Sequence, residues 1–274
     1  MAYDGGVTTA AEQTRRSIYG PVDSWRLGRS LGVDLLLIDS ICSFECVYCQ
    51  LGKINRVTTE RDVFVSTEQV LSDLDLFDWQ TADVITISGN GEPTLAANLG
   101  ESITAIREKT GKTIAVLTNS TLLHREDVRS EISLADRIYC KLDAWSDEQL
   151  RRVDRPAVGV SIAMIIEGIR MLRKSFDGFL AIQTMLLTAP SDADIDELAA
   201  IVAGIRPDEL ELNLPLRPIP LEWNFDSRGN IKSAPDGWRR LRSITPDDAA
   251  AIGTRLSALS GIRVTTPFDA PQKT

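Results

Sequence analysis

Short apolar runs alternate with amphipathic stretches along most of the chain. Val33–Ile38, bounded by Gly32 and Asp39, reads as a buried strand. Val84–Ser88, Thr113–Thr118, Arg137–Leu142, Phe179–Leu187 and Glu209–Leu214 read as further strands. Between them apolar residues recur at helical spacing. Ser66 and Gln69 have the form of a capping box ahead of Val70, Leu71 and Leu74. Ala96, Leu99, Ile103 and Ile106 share a face that Gly111 ends. Asp127–Leu134 reads as a helix, and Ser146 with Gln149 caps another. Ile162, Ile165, Ile166, Ile169 and Leu172 place a helix over Ser161–Lys174, and Ile195, Leu198, Val202 and Ile205 mark the next. Thr245 followed by Pro246 is a strong helix start, with Ile252, Leu256 and Leu259 as its apolar face and Gly261 as its stop. Val264 begins a last short strand.

Six strands joined by crossovers imply an α/β fold with a parallel sheet. Right-handed crossovers curl such a sheet toward a barrel, and the length of the chain suits a partial (β/α)6 TIM-like barrel. Residues 1–30 read as a lead-in followed by an ordered loop. That loop, 19–32, is rich in glycine and carries Tyr19, Trp25 and Arg26 as anchors. Residues 31–220 read as the core, and 221–274 as a C-terminal extension packing on it. The extension begins with an irregular excursion, Leu221–Asp236, after Pro215, Pro218 and Pro220.

The 274 residues suffice for a large domain with a well-buried core, and 43% hydrophobic with 25% charged residues is ordinary for a globular protein. No apolar stretch reaches membrane-spanning length and the start lacks a signal-peptide core, so a cytoplasmic location is expected. The net charge of −9 weighs against broad nucleic-acid affinity. His124 is the one histidine, which excludes multi-histidine metal sites; it reads as a solvated helix-start residue.

Chemistry gathers at the carboxyl ends of barrel strands. After the first strand stand Cys42, Cys46 and Cys49, spaced C-x-x-x-C-x-x-C. Three thiolates on one loop can hold three irons of a 4Fe–4S cube and leave the fourth open. A zinc loop, or reduced cysteines without a role, is the plainer alternative. After the second strand comes Gly89-Asn90-Gly91-Glu92-Pro93. Glycines on either side of Asn90 let backbone polar groups approach a ligand, and Glu92 can accept from a cationic amine. The third strand ends in Thr118-Asn119-Ser120, the fourth in Lys141-Leu142-Asp143. Strand alternation points Lys141 and Asp143 the same way, toward a ligand or toward each other. Gln183 and Asn213 are polar positions in apolar strands. Cys140 reads as a buried small hydrophobe.

The cysteine spacing resembles the signature of the radical S-adenosylmethionine (SAM) superfamily, and G-N-G-E-P resembles its GGE motif. The resemblance implies a 4Fe–4S cluster on Cys42, Cys46 and Cys49, with SAM on the open iron. It implies SAM's amino group at Gly89, Asn90, Gly91 and Glu92, and its carboxylate at Lys141. A ribose hydroxyl falls to Asp143, adenine to Tyr48, and the rest of the cleft to Asn119, Gln183 and Asn213. Reductive cleavage to a 5′-deoxyadenosyl radical would then abstract hydrogen from an RNA base, a peptide or a small metabolite. The resemblance also implies an electron donor, flavodoxin or ferredoxin. An acidic donor should dock on a basic face: Lys53, Arg56 and Arg61, or Arg239, Arg240 and Arg242. The alternative is a non-catalytic iron–sulfur or zinc module in electron transfer or structure. Within the superfamily, G-P-V-x-S-x-R-L-G-x-S-L-G at 20–32, C-S-F-E-C-V-Y-C-Q-L-G at 42–52, R-V-D-R-P at 152–156 and L-N-L-P-L-R-P-I-P at 212–220 resemble the wyosine-forming tRNA enzymes. Those enzymes carry cysteines for a second cluster, and here Cys140 alone remains; wyosine synthesis and its pyruvate co-substrate are therefore not implied.

Overall fold

The computed structural model describes residues 15–37, 39–228 and 236–269, with the backbone alone at Asp226. The start of the lead-in, Ile38 at the end of the first expected strand, and part of the excursion lie outside the described residues.

One sheet runs in strict chain order through β1 (Ile18–Ser24), β2 (Gly28–Val33), β3 (Val84–Ile87), β4 (Thr113–Thr118), β5 (Arg137–Lys141), β6 (Phe179–Met185), β7 (Glu209–Asn213) and β8 (Val264–Thr265). β1 is antiparallel to β2, and every later pair is parallel. Among the described residues β1 and β8 are opposite edges, so the sheet is the open, partial barrel that the alternating pattern predicts. Helices α1 (Thr67–Leu74), α2 (Leu99–Thr110), α3 (Glu126–Ile132), α4 (Asp147–Val153), α5 (Ile162–Ser175), α6 (Asp192–Ile205) and α7 (Pro246–Ser260) fill the crossovers and follow β7. The expected caps are formed: Ser66, Ser146 and Thr245 each accept a backbone N–H of the first turn, and Gly111 and Gly261 end their helices in the left-handed region.

The β-strands separate two environments by simple alternation. Ile85, Ile87, Ile114, Val116, Ile138, Cys140, Leu180, Ile182, Leu210 and Leu212 belong to the main core with the helices. The residues between them face the other way. Val84, Ala115, Tyr139 and Ala181, with Leu27, Leu117 and Phe179 against them, form a small plug inside the curl of the sheet. Toward the carboxyl ends the same face carries Thr86, Lys141, Gln183, Met185 and Asn213, which line a cavity.

Two expectations are corrected. The stretch 19–32 is a β-hairpin rather than a loop, with Tyr19 opposite Gly32 and Val22 opposite Ser30 across a bulge. The first parallel strand is Gly28–Val33, not Val33–Ile38. Asp34 stops it: this buried carboxylate accepts the Leu36 N–H at 2.9 Å, a local turn that competes with the ladder. Leu35 and Leu36 stay fully buried without being strand, which is why an apolar run there misled.

Candidate cluster and cofactor site

The cysteine loop leaves the sheet after Asp34 and is laced to its surroundings by backbone hydrogen bonds. Ile41 N–H donates to Asn90 O at 2.9 Å, and Glu92 N–H to Ile41 O at 3.1 Å. Thr58 N–H reaches Cys42 O at 2.9 Å, and Glu45 and Val47 N–H reach Asp154 O and Val153 O at 2.9 Å each. Cys42, Cys46 and Cys49 are all half-buried and line the same cavity of about 460 Å³. Asn119 Nδ2 lies 3.5 Å from Cys42 Sγ, and Cys46 Sγ donates to Asp154 Oδ1 at 3.3 Å. Burial pushes all three thiols up, Cys49 to about 11. Ionising them therefore asks for a positive partner at the sulfurs, as iron provides. Among the described residues no three His, Cys, Asp or Glu side chains are grouped around one point as ligands of a single metal ion. A cube has a different requirement, one thiolate for each of three separate irons, and the donor set fits it.

Gly89, Gly91, Glu92, Asn119, Lys141, Gln183, Asn213 and Tyr48 share the cavity wall with the cysteines. Asn90 and Asp143 stand behind it. Asn90 donates to Asp34 Oδ2 at 2.7 Å. Asp143 accepts from Tyr48 Oη and from Met185 N–H at 2.6 Å, and pairs with Lys141 at 3.2 Å. The carboxylate expected at a ribose is thus engaged by protein donors. Lys141 lies over the Tyr48 ring, 5.0 Å from its centroid. Gln183 donates to Glu211 at 2.8 Å, and Asn213 accepts from Arg26.

The glycines also serve the fold itself. A Cβ at Gly91 would lie 1.6 Å from Ile41 O, and one at Gly89 2.4 Å from Asp34 Cγ. Both have positive φ, +151° and +131°. What approaches closely is the chain's own cysteine strand and the buried Asp34, so the motif is first a docking joint for the cysteine loop.

Glu92 is buried and caps the short turn Pro93–Leu95. Its Oε1 accepts Thr94 N–H at 3.0 Å and the Thr94 and Thr118 hydroxyls at 2.6 and 2.7 Å; Oε2 accepts Asn119 N–H at 2.6 Å. Burial raises its pKa against these donors. Glu92→Gln should therefore unfold more easily even before any cofactor is bound. Whichever way the amide turns, its NH₂ meets a backbone N–H, a loss of about 1–3 kcal/mol. At roughly 2–4 °C per kcal/mol for a chain of this size, the melting temperature of apo protein should fall by several degrees. An unchanged melt would mean that these bonds contribute nothing to the fold.

One further residue escaped the sequence reading, and another, Arg61, has a different role from the one expected. Asp154 is buried against Cys46 and Tyr48, and its carboxyl is pushed up to about 8 by burial and by Asp143. Only its place in R-V-D-R-P singled it out. Arg61, expected on an exposed docking face, is tied to Glu131, Asp127 and the carbonyls of Thr94 and Ala96. An arginine saturated by two acids and two carbonyls is a strut between the cysteine loop's exit and α3. Lys53, Arg56, Arg239, Arg240 and Arg242 are exposed, and Arg239 donates to Val47 O of the cysteine loop at 3.1 Å. Arg240 donates to Leu216 O at 3.2 Å. His124 is exposed and Cys140 fully buried, as their surroundings in the sequence suggest.

Residues 37–202 match the radical SAM superfamily as a family. The chain belongs to the radical SAM superfamily. A UPF0026 protein of Synechocystis sp. is 43% identical over 89% of this chain and 92% of its own length. A UPF0026 protein of Methanocaldococcus jannaschii is 34% identical over 73% of this chain and 64% of its own. In fold the chain is similar to Streptococcus suis SuiB bound to its precursor peptide SuiA, with TM-score 0.59 and 13% identity; the match covers 88% of this chain and half of SuiB. The FeFe-hydrogenase maturase HydG of Carboxydothermus hydrogenoformans gives TM-score 0.57 at 13% identity, over 85% of this chain and 52% of HydG. Membership makes the protein an enzyme whose cofactors are a 4Fe–4S cluster and SAM. No helix among the described residues is long and apolar enough to cross a membrane.

Proposed function

We propose that this radical SAM enzyme abstracts hydrogen from its substrate by way of a 5′-deoxyadenosyl radical. When bound, the cluster supplies the electron that divides SAM into methionine and that radical. The observation that carries the reading is the sharing of one cavity wall by Cys42, Cys46 and Cys49, Glu92, Lys141 and Asn119. Cys42, Cys46 and Cys49 would hold three irons of the cluster and leave the fourth for the amino acid end of SAM. Gly89 to Glu92 shape the amino-group end, Lys141 offers the only ammonium on the wall among the described residues, and Tyr48 gives a ring beside it. Asp143 acts here by orienting Tyr48 and Lys141. An electron carrier has no use for such a cavity, which weighs against a module that only passes electrons. The donor, a flavodoxin or ferredoxin, docks over the cysteine loop at Lys53, Arg56 and Arg239, with Arg61 serving the fold instead.

The test is anaerobic reconstitution followed by reduction. Four irons and four sulfides per chain are expected, with a reduced-cluster paramagnetic signal that changes on adding SAM, and with 5′-deoxyadenosine as a product. A loaded cluster whose signal ignores SAM would overturn the reading.

A further inference from the structure

Among the described residues the cavity wall carries four cations, Arg26, Lys141, Arg217 and Arg228, against one carboxylate, Glu92. Three of the cations are matched by acids set behind the wall. Arg26 pairs with Glu211 at 2.6 Å, Lys141 with Asp143 at 3.2 Å and Arg228 with Asp34 at 2.8 Å. Arg217 is different. It is half-buried on the segment after β7, and its Nη1 donates to Gln50 Oε1 at 3.0 Å. That partner is a neutral amide, and among the described residues Arg217 forms no ion pair with a carboxylate. Burial and the charge of Arg26 both push its pKa down. A guanidinium keeps its charge nonetheless, and with it planar donors that suit a carboxylate or phosphate in two-point contact.

A half-buried cation without a counter-charge is costly, and a second guanidinium nearby raises that cost. An incoming anion removes both penalties. The surroundings are built for the remainder of a small molecule: Trp25, stacked on Arg26 at 4.5 Å, and Leu214, Pro215 and Ile219 line the same space. Gln50, which holds Arg217, follows Cys49 directly, so the anion subsite adjoins the cluster loop. We propose that Arg217, with the charge of Arg26 beside it, binds an oxyanion of the substrate, a carboxylate or a phosphate ester on a small molecule. This rests on the SAM reading above, in which SAM takes the Glu92 and Lys141 side of the cavity. The net charge of −9 fits a small anion better than a polyanion.

The test titrates reconstituted, SAM-loaded enzyme with acetate and, separately, with methyl phosphate, following heat of binding. The same titrations are made on Arg217→Gln and Arg217→Lys, with iron content and SAM affinity measured on each sample. Wild type should bind at least one of the two anions saturably, and the tighter one tells carboxylate from phosphate ester. Arg217→Gln should weaken that binding by about tenfold or more, and Arg217→Lys by less, because it keeps the charge and loses the fork. Iron content and SAM affinity should match wild type in both variants. The proposal is overturned if neither anion saturates wild type, if Arg217→Gln binds as well as wild type, or if the anion displaces SAM, which would give the subsite to SAM's own carboxylate. Failure of the SAM reading is separate, since it would appear as wild-type enzyme that does not bind SAM.

Discussion

Gly91→Ala is expected to give a protein that no longer assembles its cluster. The added Cβ would sit 1.6 Å from the oxygen and 2.4 Å from the carbon of the Ile41 carbonyl. Backbone, unlike the tip of a side chain, cannot turn aside, so the strand that opens the cysteine loop must move. That strand is held through Asn90 O and Glu92 N–H, the two groups flanking Gly91. Moving it breaks both bonds and displaces Cys42, next in the chain. Overpacking of this kind, added to a φ of +151°, should destabilise by about 3 kcal/mol or more. Most of the iron retained by wild type should be lost after reconstitution, together with any response to SAM. Gly111→Ala is the control: its φ is +62° but a Cβ there meets nothing within 4 Å. It should cost about 1 kcal/mol and keep its iron. Full iron loading in Gly91→Ala would show that the joint between the two loops is not needed.

Single replacement of Cys42, Cys46 or Cys49 by alanine should remove the cluster altogether, while Cys140→Ala should retain it. The three loop cysteines face one cavity, whereas Cys140 is fully buried on the opposite, helix-covered side of the sheet. Two remaining thiolates leave two irons without protein ligands, and no histidine is near to substitute: His124, the one histidine, is exposed and bonded to Thr121 O at 2.9 Å. Iron and sulfide per chain, measured beside a thermal melt, decide the matter. The assignment fails if Cys46→Ala stays loaded or if Cys140→Ala, correctly folded, comes out empty.

The central part of this fold was readable because it obeys local rules. β3 to β6 are largely apolar runs with buried centres, α4, α5 and α6 begin at the capping serines Ser146, Ser161 and Ser191, and α2 and α7 end at Gly111 and Gly261. Each of those signals acts within a few residues. The hairpin at 19–32 broke them, since six of its fourteen residues are glycine, proline or serine and its second strand is held by β3 alongside: Ser30 Oγ meets Thr86 Oγ1 at 2.6 Å. The same limit applies to Arg61, whose partner Glu131 lies 70 residues away, and to the bonds of Asp143 with Tyr48 and Met185, 95 and 42 residues away; only its pairing with Lys141 was within reach of strand alternation.

The order of residues is enough to establish which atoms are available for chemistry: three thiols at cluster spacing, a carboxylate one strand later, and a barrel whose strand ends bring them together. These follow from short-range spacing and from the period of the strands. How those atoms are employed follows from long-range packing. Glu92 is spent largely on Thr94, Thr118 and Asn119, Gly91 on Ile41, and Asp143 on Tyr48 and Lys141, because burial forces each polar group to find a partner wherever the fold brings one. Arg26 and Arg217, 191 positions apart in the numbering, come to one cavity because the hairpin tip reaches across the curl of the sheet to Glu211 and Asn213 on β7. No local pattern encodes that meeting, since it depends on the curl of the whole sheet.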